Sequence, residues 1–311
     1  MDLESATNLK RELQSIFAIR VRGVTYGKLA FGVAAPTAAA DYRVAVRAPS
    51  EEDFPDEARR LVEQMTAGEA DVRVVGSVRA IGAPALSANR CVSVGASIAH
   101  YLCNSAGTLG FFARRESDGA IGFVSCNHVI AAEDRGQDGD EILHPAPMDH
   151  GDRSVIGHLV KGYPLLDRTD PVVDCAFARL VSGTPYDVSS PDPEYAIVAT
   201  DVPPFAEREV FKFGRTTGLT TGHITAFDLD TEIVYSHNKT ICLRQQIEID
   251  STAASSFAVG GDSGSLVVTR LGHPVGLVCA ASAAGGYKNH GLAYANPIRP
   301  VLDALGVTLL V

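Results

Sequence analysis

Val259-Gly260-Gly261-Asp262-Ser263-Gly264-Ser265-Leu266-Val267-Val268 sets one serine between glycines and runs it straight into an apolar strand. Glycines on both sides let the backbone turn sharply and approach a ligand closely. The turn lifts the Ser263 hydroxyl out of the fold while Leu266 to Val268 anchor it. The same turn can aim the amides of Gly261 and Ser263 at one point, where fixed dipoles would stabilise an oxyanion. The stretch therefore reads as a nucleophile site, against the plainer alternative of a tight turn between strands. An unassisted hydroxyl is a weak nucleophile, so the reading requires a base and an orienting acid elsewhere in the chain.

Two upstream segments supply those residue types. In Phe123-Val124-Ser125-Cys126-Asn127-His128-Val129-Ile130-Ala131-Ala132 a histidine follows an apolar strand as it gives way to small residues. In Val172-Val173-Asp174-Cys175-Ala176-Phe177-Ala178 a single acid heads an otherwise apolar strand, where an unpaired carboxylate would be costly. Asp174 therefore needs a partner. Asp170, four residues earlier in a more polar setting, is the alternative acid. The order His128, Asp174, Ser263 matches neither the α/β-hydrolase nor the subtilisin arrangement.

Composition narrows the class. The 311 residues are 46% hydrophobic and 21% charged, the profile of a globular protein with a substantial core. The net charge of -10 argues against general affinity for nucleic acid or anionic membrane, since both rely on excess Lys and Arg. Twenty-nine glycines and 16 prolines punctuate many short apolar runs, which favours a mainly β fold. The N-terminus Met1-Asp2-Leu3-Glu4-Ser5 lacks the basic start of a secretory signal, and no apolar run is long enough to span a membrane. A cytoplasmic location is expected. The six cysteines lie in apolar strands with no CxxC pair, which predicts reduced, buried thiols and no zinc site.

Residues 1–90 predict a small α/β domain with a linker. Leu9, Leu13, Ile16 and Phe17 repeat at helical spacing, Ala18 to Val21 and Lys28 to Phe31 suggest a hairpin, and Tyr42 to Val46 alternates as a strand. Ala58, Leu61, Val62 and Met65 mark a short helix, and Asp71 to Val78 returns as a strand. This unit groups no catalytic residue types. It reads as a docking, regulatory or oligomerisation module, or as a cover for a barrel edge. Residues 80–89 read as a linker. Short strands then follow through 91–194, interrupted by a long polar loop from Glu133 to Ser154. A Pro/Ser/Asp-rich connection separates them from a second strand set in 195–311, which includes Ala196 to Ala199, His223 to Phe227 and Glu232 to Ser236. Pro300 to Leu305 reads as a closing helix.

Gly261-Asp262-Ser263-Gly264 resembles the serine signature of the trypsin-like, chymotrypsin-fold peptidases. The segment around His128 and the order His128, Asp174, Ser263 are similar to that family too. The resemblance is closest to a cytosolic branch with bacterial members and the plant narrow-leaf type. It is carried by Val94 to Ile98, Ala106 to Gly110, Asn127-His128-Val129, Phe213 to Gly222, the serine motif and Ala295 to Ile298, over residues 92 to 311. It implies two six-stranded antiparallel β-barrels, 91–194 with His and Asp and 195–311 with Ser. It also implies a serine protease acting on protein or peptide substrates through an acyl-enzyme, with no cofactor and no metal. His128 would be the general base, Asp174 its orienting acid, Ser263 the nucleophile, and the Gly261 and Ser263 amides the oxyanion hole. Cys126 precedes the histidine, where many secreted relatives have a cysteine just after it, so the usual neighbouring disulfide should be absent. Zymogen-type relatives pair the acid at Asp262 with a newly cut N-terminus; here a different partner, such as backbone amides, is expected.

The position six before the serine, an acid in trypsin, is Phe257 here, within an acid-free run, and Ala281 and Ser282 belong to a wall of small residues. This predicts an uncharged, apolar preference before the scissile bond. The run Gly214 to Gly222 lacks the lysine and setting of a phosphate loop and reads as a turn beside the oxyanion loop. Asp138, Asp140, His144, Asp149, His150 and Asp152 offer metal-ligand types without regular spacing, and a solvated loop is the simpler account. Apart from substrate, the partners left open are a regulatory protein on the N-terminal unit and a second copy of the chain. The alternative function is a protease-fold binding or scaffold protein whose triad is idle, with simple ester hydrolysis a third.

Overall fold

The computed structural model describes residues 1–20, 28–37, 41–80, 91–150, 152–165, 172–236 and 239–311. The linker at 81–90, Asp170, and Val21 with the turn of the expected hairpin lie outside them. Ala18 to Arg20, read as the first arm of that hairpin, instead complete an N-terminal helix, because the Leu9/Leu13/Phe17 stripe of that helix packs on the sheet and carries the backbone onward.

In chain order the N-terminal part holds α1 (Leu3–Arg20), β1 (Ala30–Ala34), β2 (Arg43–Ala48), α2 (Asp56–Thr66), β3 (Asp71–Val74) and β4 (Val78–Ala80). There follow β5 (Val92–Ser93), β6 (Ser97–His100), β7 (Gly107–Thr108), β8 (Phe111–Arg115), β9 (Ile121–Ser125), the one-turn helix α3 (Asn127–Ile130), β10 (Glu141–His144), β11 (Ser154–Gly162), β12 (Ala176–Leu180) and β13 (Tyr186–Asp187). The last part comprises β14 (Glu209–Gly214), β15 (Gly218–Val234), β16 (Thr240–Ser251), β17 (Leu266–Thr269), β18 (Pro274–Ser282), β19 (Ala293–Pro297), α4 (Ile298–Leu305) and β20 (Val307–Leu309).

The fold is mainly β. One sheet runs β20-β8-β9-β12-β11-β10-β6-β7. The other contains β14-β17-β18-β19-β16-β15, and β14 also pairs with β15, so these six strands close into a ring. Among the described residues no ladder closes the first sheet in the same way. The N-terminal strands form no sheet of their own: β1 pairs antiparallel with β15, and β2 and β3 continue outward from it, β2 to β3 by a parallel crossover through α2. This attachment is ionic as well as apolar. Arg47 is buried and grips Glu248 of β16 through Nε (2.7 Å) and Nη2 (2.8 Å) while reaching Asp71. Burial works against the Glu248 carboxylate, yet Arg47 holds its pKa below the usual range.

Several expected elements differ. His223 to Phe227 and the expected strand from Glu232 merge into the 17-residue β15, which ends at Val234 and is bulged near Asp228, whose φ is 51°. Polar residues between the two expected strands have partners on α1: Lys10 meets Asp228 at 2.9 Å and Gln14 meets Asp230 at 2.7 Å. The loop 133–154 contains β10, Ala196 to Ala199 is irregular, and β20 follows the closing helix and pairs with β8 of the first sheet. None of the six cysteines is in a disulfide; four are buried, but Cys91 is half-buried and Cys242, on an outward-facing position of β16, is exposed. No described helix is long and apolar enough to cross a membrane.

Candidate active site

Strand register brings the acid to the histidine. Ala176 at the start of β12 pairs with Ser125 at the end of β9, so the residues leading into β12 lie beside those leaving β9. Asp174 thus meets His128 across 46 residues of sequence: its Oδ2 is 2.5 Å from Nδ1, and its Oδ1 accepts from the His128 amide at 3.2 Å. Asp174 is fully buried and precedes β12 rather than heading it. Tyr235, just past β15, adds a third bond by donating its hydroxyl to Oδ2 at 3.0 Å, and its ring packs edge-on to the imidazole. Asn296 of β19 fixes the Asp174 backbone, accepting from its amide at 3.0 Å and donating to its carbonyl at 3.1 Å.

These contacts set the proton inventory. Burial disfavours the His128 imidazolium, but the Asp174 carboxylate outweighs it and raises the pKa above the ordinary histidine value. Burial, reinforced by the Asp174 charge, pushes the Tyr235 phenol well up, so it stays a donor. With Nδ1 committed to Asp174, Nε2 is the nitrogen left to act; it is buried and has no hydrogen-bond partner.

Ser263 is fully buried in the turn before β17. Gly264 beside it has φ +95°, and a Cβ there would come within 2.2 Å of Ser125 Oγ, so the serine turn packs directly on the strand that leads to His128. The Ser263 hydroxyl donates to the Cys279 carbonyl at 3.3 Å, not to the imidazole. The carbonyls of the turn are pinned outward: Gly260 O by Thr216 Oγ1 (2.6 Å), Gly261 O by Thr108 Oγ1 (2.7 Å) and Asp262 O by the Ser265 amide (3.0 Å). In a trans peptide the amide points opposite to its carbonyl. Pinning the 260 and 262 carbonyls therefore turns the Gly261 and Ser263 amides the other way, as an oxyanion site requires.

Asp262 holds this turn in place. Its carboxylate accepts from the amides of Thr216 (2.9 Å), Thr217 (3.2 Å) and Val259 (2.9 Å) and from the Thr217 hydroxyl (2.9 Å). The backbone amides expected from the sequence are joined by a cation that sequence alone did not indicate: Lys212 Nζ lies 3.7 Å away, fully buried, its pKa drawn down by burial to about 8 with Asp262 opposing. The Gly214 to Gly222 run, read as a turn, is the hairpin that carries the Thr216 and Thr217 donors. Arg215 within it pairs with buried Asp149, its Nε at 2.9 Å, which ties the serine turn to the other sheet.

The remaining candidates separate. Phe257 is buried in the cluster with Ile224, Ile249 and Val267 rather than lining an open pocket. Ala281 and Ser282 lie on β18, opposed by Arg79 and Val78 of β4. Of the acidic and histidine side chains in the 133–154 loop, His144 bonds the Ser97 carbonyl (2.7 Å), Asp140 meets His100 (3.1 Å) and Asp149 holds Arg215, while Asp138, His150 and Asp152 are exposed. Cys126, His128 and Asp174 do bring three ligand-type atoms within 4.8 Å of one another. The Cys126 thiol, however, is pushed well up by burial and donates to Val278 O at 3.1 Å, and Nδ1 is taken by Asp174, a donor set better suited to holding a proton than a cation. Tyr235, Asn296 and Lys212 were not found from sequence. Only Asn296, inside a quoted family segment, carried a signal.

Residues 197–293 match the family described as the Nal1 C-terminal domain. Protein NARROW LEAF 1 of Oryza sativa subsp. japonica is 24% identical over 225 residues, covering 63% of this chain and 37% of that protein. The chain therefore spans little more than a third of that curated relative. Among solved structures, a glutamic-acid-specific serine protease described as using a novel histidine triad in substrate binding matches with a TM-score of 0.50 at 20% identity, over 70% of this chain and 100% of the other. Thermobifida fusca Protease A matches at 0.49 and 19%, over 71% and 98%. The fold is that of the chymotrypsin-type serine proteases.

Proposed function

We propose that this chain is a serine endopeptidase of the cytosolic narrow-leaf branch, hydrolysing peptide bonds through His128, Asp174 and Ser263. The observation that carries the proposal is the buried His128 Nε2, left without a partner by the Asp174 bond at Nδ1, at the end of the strand whose Ser125 packs on the glycine-flanked serine turn. Rotation of the Ser263 hydroxyl away from Cys279 O lets Nε2 take its proton as Oγ attacks the peptide carbonyl. Asp174 stabilises the imidazolium, and the amides of Gly261 and Ser263 receive the oxyanion. His128 returns the proton to the leaving amine, an acyl-enzyme forms, and water repeats the sequence. An uncharged residue is expected before the scissile bond.

Labelling with a fluorophosphonate probe tests the reading: covalent capture should occur and vanish in Ser263→Ala. One observation favours the idle-scaffold alternative, namely that Ser263 is buried and bonded to Cys279. Failure of every form of the protein to take the probe would establish that alternative. Strict cleavage after Lys or Arg in a peptide library would refute the predicted preference.

A further inference from the structure

Beyond the serine, β18 is the strand that leads away from the proposed nucleophile, and on the protease reading an extended peptide would lie along it. Gly264 donates to Val278 O (2.7 Å), Val278 donates to Ser265 O (2.9 Å) and Ser263 Oγ bonds Cys279 O, so the residues that follow, Ala280 to Ser282, lead directly away from the nucleophile. One edge of this segment is filled by β19, with Ala280 opposite Tyr294 and Ala281 opposite Ala293. The other edge is the only one open to strand addition, the commonest way a sheet receives an extended peptide.

That edge is occupied by the chain itself. β4 pairs with it antiparallel, Ala80 opposite Ala280, Arg79 opposite Ala281 and Val78 opposite Ser282, and Val75 O accepts from Ala284 N at 3.2 Å. On its other side β4 bridges to the end of β15, Arg79 opposite Val234, one residue before the Tyr235 that bonds Asp174. The segment advances toward Ser263, and by register Ala80 is its residue nearest Cys279. Val75 and Val78 are buried beneath the same contacts.

We infer that Val75 to Ala80 is a built-in occupant of the substrate strand site, and that a peptide is admitted only when β4 leaves the β18 edge. The inference rests on the protease reading. It gives the N-terminal unit a regulatory role: anything that pulls on this segment opens the site, while the Arg47–Glu248 pair keeps β2 and β3 attached to the protein.

The test combines fluorophosphonate labelling with hydrogen exchange in the full chain. In Arg79→Pro, proline disrupts strand pairing at an exposed side chain outside the catalytic group. Exchange at 75–80 should rise, and labelling of Ser263 should accelerate about tenfold or more as the competent fraction grows. A second variant covers the case of a folding defect: Ala80→Cys with Ala280→Cys, oxidised, should resist the probe until a reductant restores labelling. Labelling at the parent rate with β4 released, or equal labelling of the oxidised and reduced staple, would overturn the inference and leave the protease reading standing. If neither the parent nor any β4-released form labels, the protease reading itself fails and the inference falls with it.

Discussion

The two halves of the candidate site are in different states of readiness. On the first, the Asp174 carboxylate has three donors, and its backbone is clamped at both amide and carbonyl by Asn296, so the imidazole is oriented before any substrate arrives. On the second, the serine turn is equally well braced through Asp262, but its hydroxyl points to Cys279 O and its strand edge is covered by β4. The His128–Asp174 pair is thus fixed by burial and hydrogen bonding alone, whereas on the proposed reading Ser263 must still turn its hydroxyl from Cys279 O and be reached. A carboxylate held in the interior must be fully satisfied at all times, while a neutral hydroxyl can be kept in reserve at little cost.

The largest expected effect removes the nucleophile. Ser263→Ala should lower kcat by about 10⁶-fold without altering the His128–Asp174 geometry, measured as single-turnover peptide cleavage. Residual activity near the parent level would show that the second half contributes nothing. Asp174→Asn should cost about 10⁴-fold in kcat, because the amide no longer selects the Nδ1–H tautomer. A loss of tenfold or less would mean that the first half is not the prepared one.

Effects on stability come next. Asp262→Asn leaves Lys212 buried without its anion and weakens four hydrogen bonds, so unfolding free energy should fall by about 3–5 kcal/mol in denaturant titration. An unchanged midpoint would indicate that the serine turn is held by other means. The smallest change is Tyr235→Phe, which deletes one donor to Asp174 and should cost about 1.5–3 kcal/mol.

The pH profile refines the same contrast. Because the His128 pKa is raised, the stabilisation from its charged pair is complete below the unfolded value of ~6.5 and is lost as pH rises through the folded value. The neutral base required for attack appears over that same step, so kcat/KM should climb with pH along a limb centred above ~6.5. In Tyr235→Phe the less well solvated Asp174 holds the proton on His128 more strongly, and the limb should move further up. A limb at or below the ordinary histidine value in the parent would contradict the geometry at Nδ1.

Legibility followed the range of the interactions. The helical stripe of α1, the face of α2 and the hairpin of the Gly214 run are local patterns and were visible as such. β15 reads from sequence as two strands; Asp228 and Asp230 between them are held by Lys10 and Gln14, more than 200 positions away, with Gln245 and Arg244 of the paired strand adding to Asp230. The free Nε2 of His128, the phenol of Tyr235 and the ammonium of Lys212 likewise depend on neighbours distant in sequence, which local spacing does not encode.

What the sequence determined by itself was a mainly β chain and three residue types in a meaningful order, because turn-forming glycines, apolar alternation and an acid stranded among apolar residues are properties of short segments. The tertiary structure alone decided that Asp174 has a phenol as well as an imidazole, that Ser263 faces a carbonyl, and that Val78 to Ala80 lies along β18. Each of these is a pairing between segments remote in the chain, fixed by the register of whole sheets and by the need to satisfy every buried polar group at once.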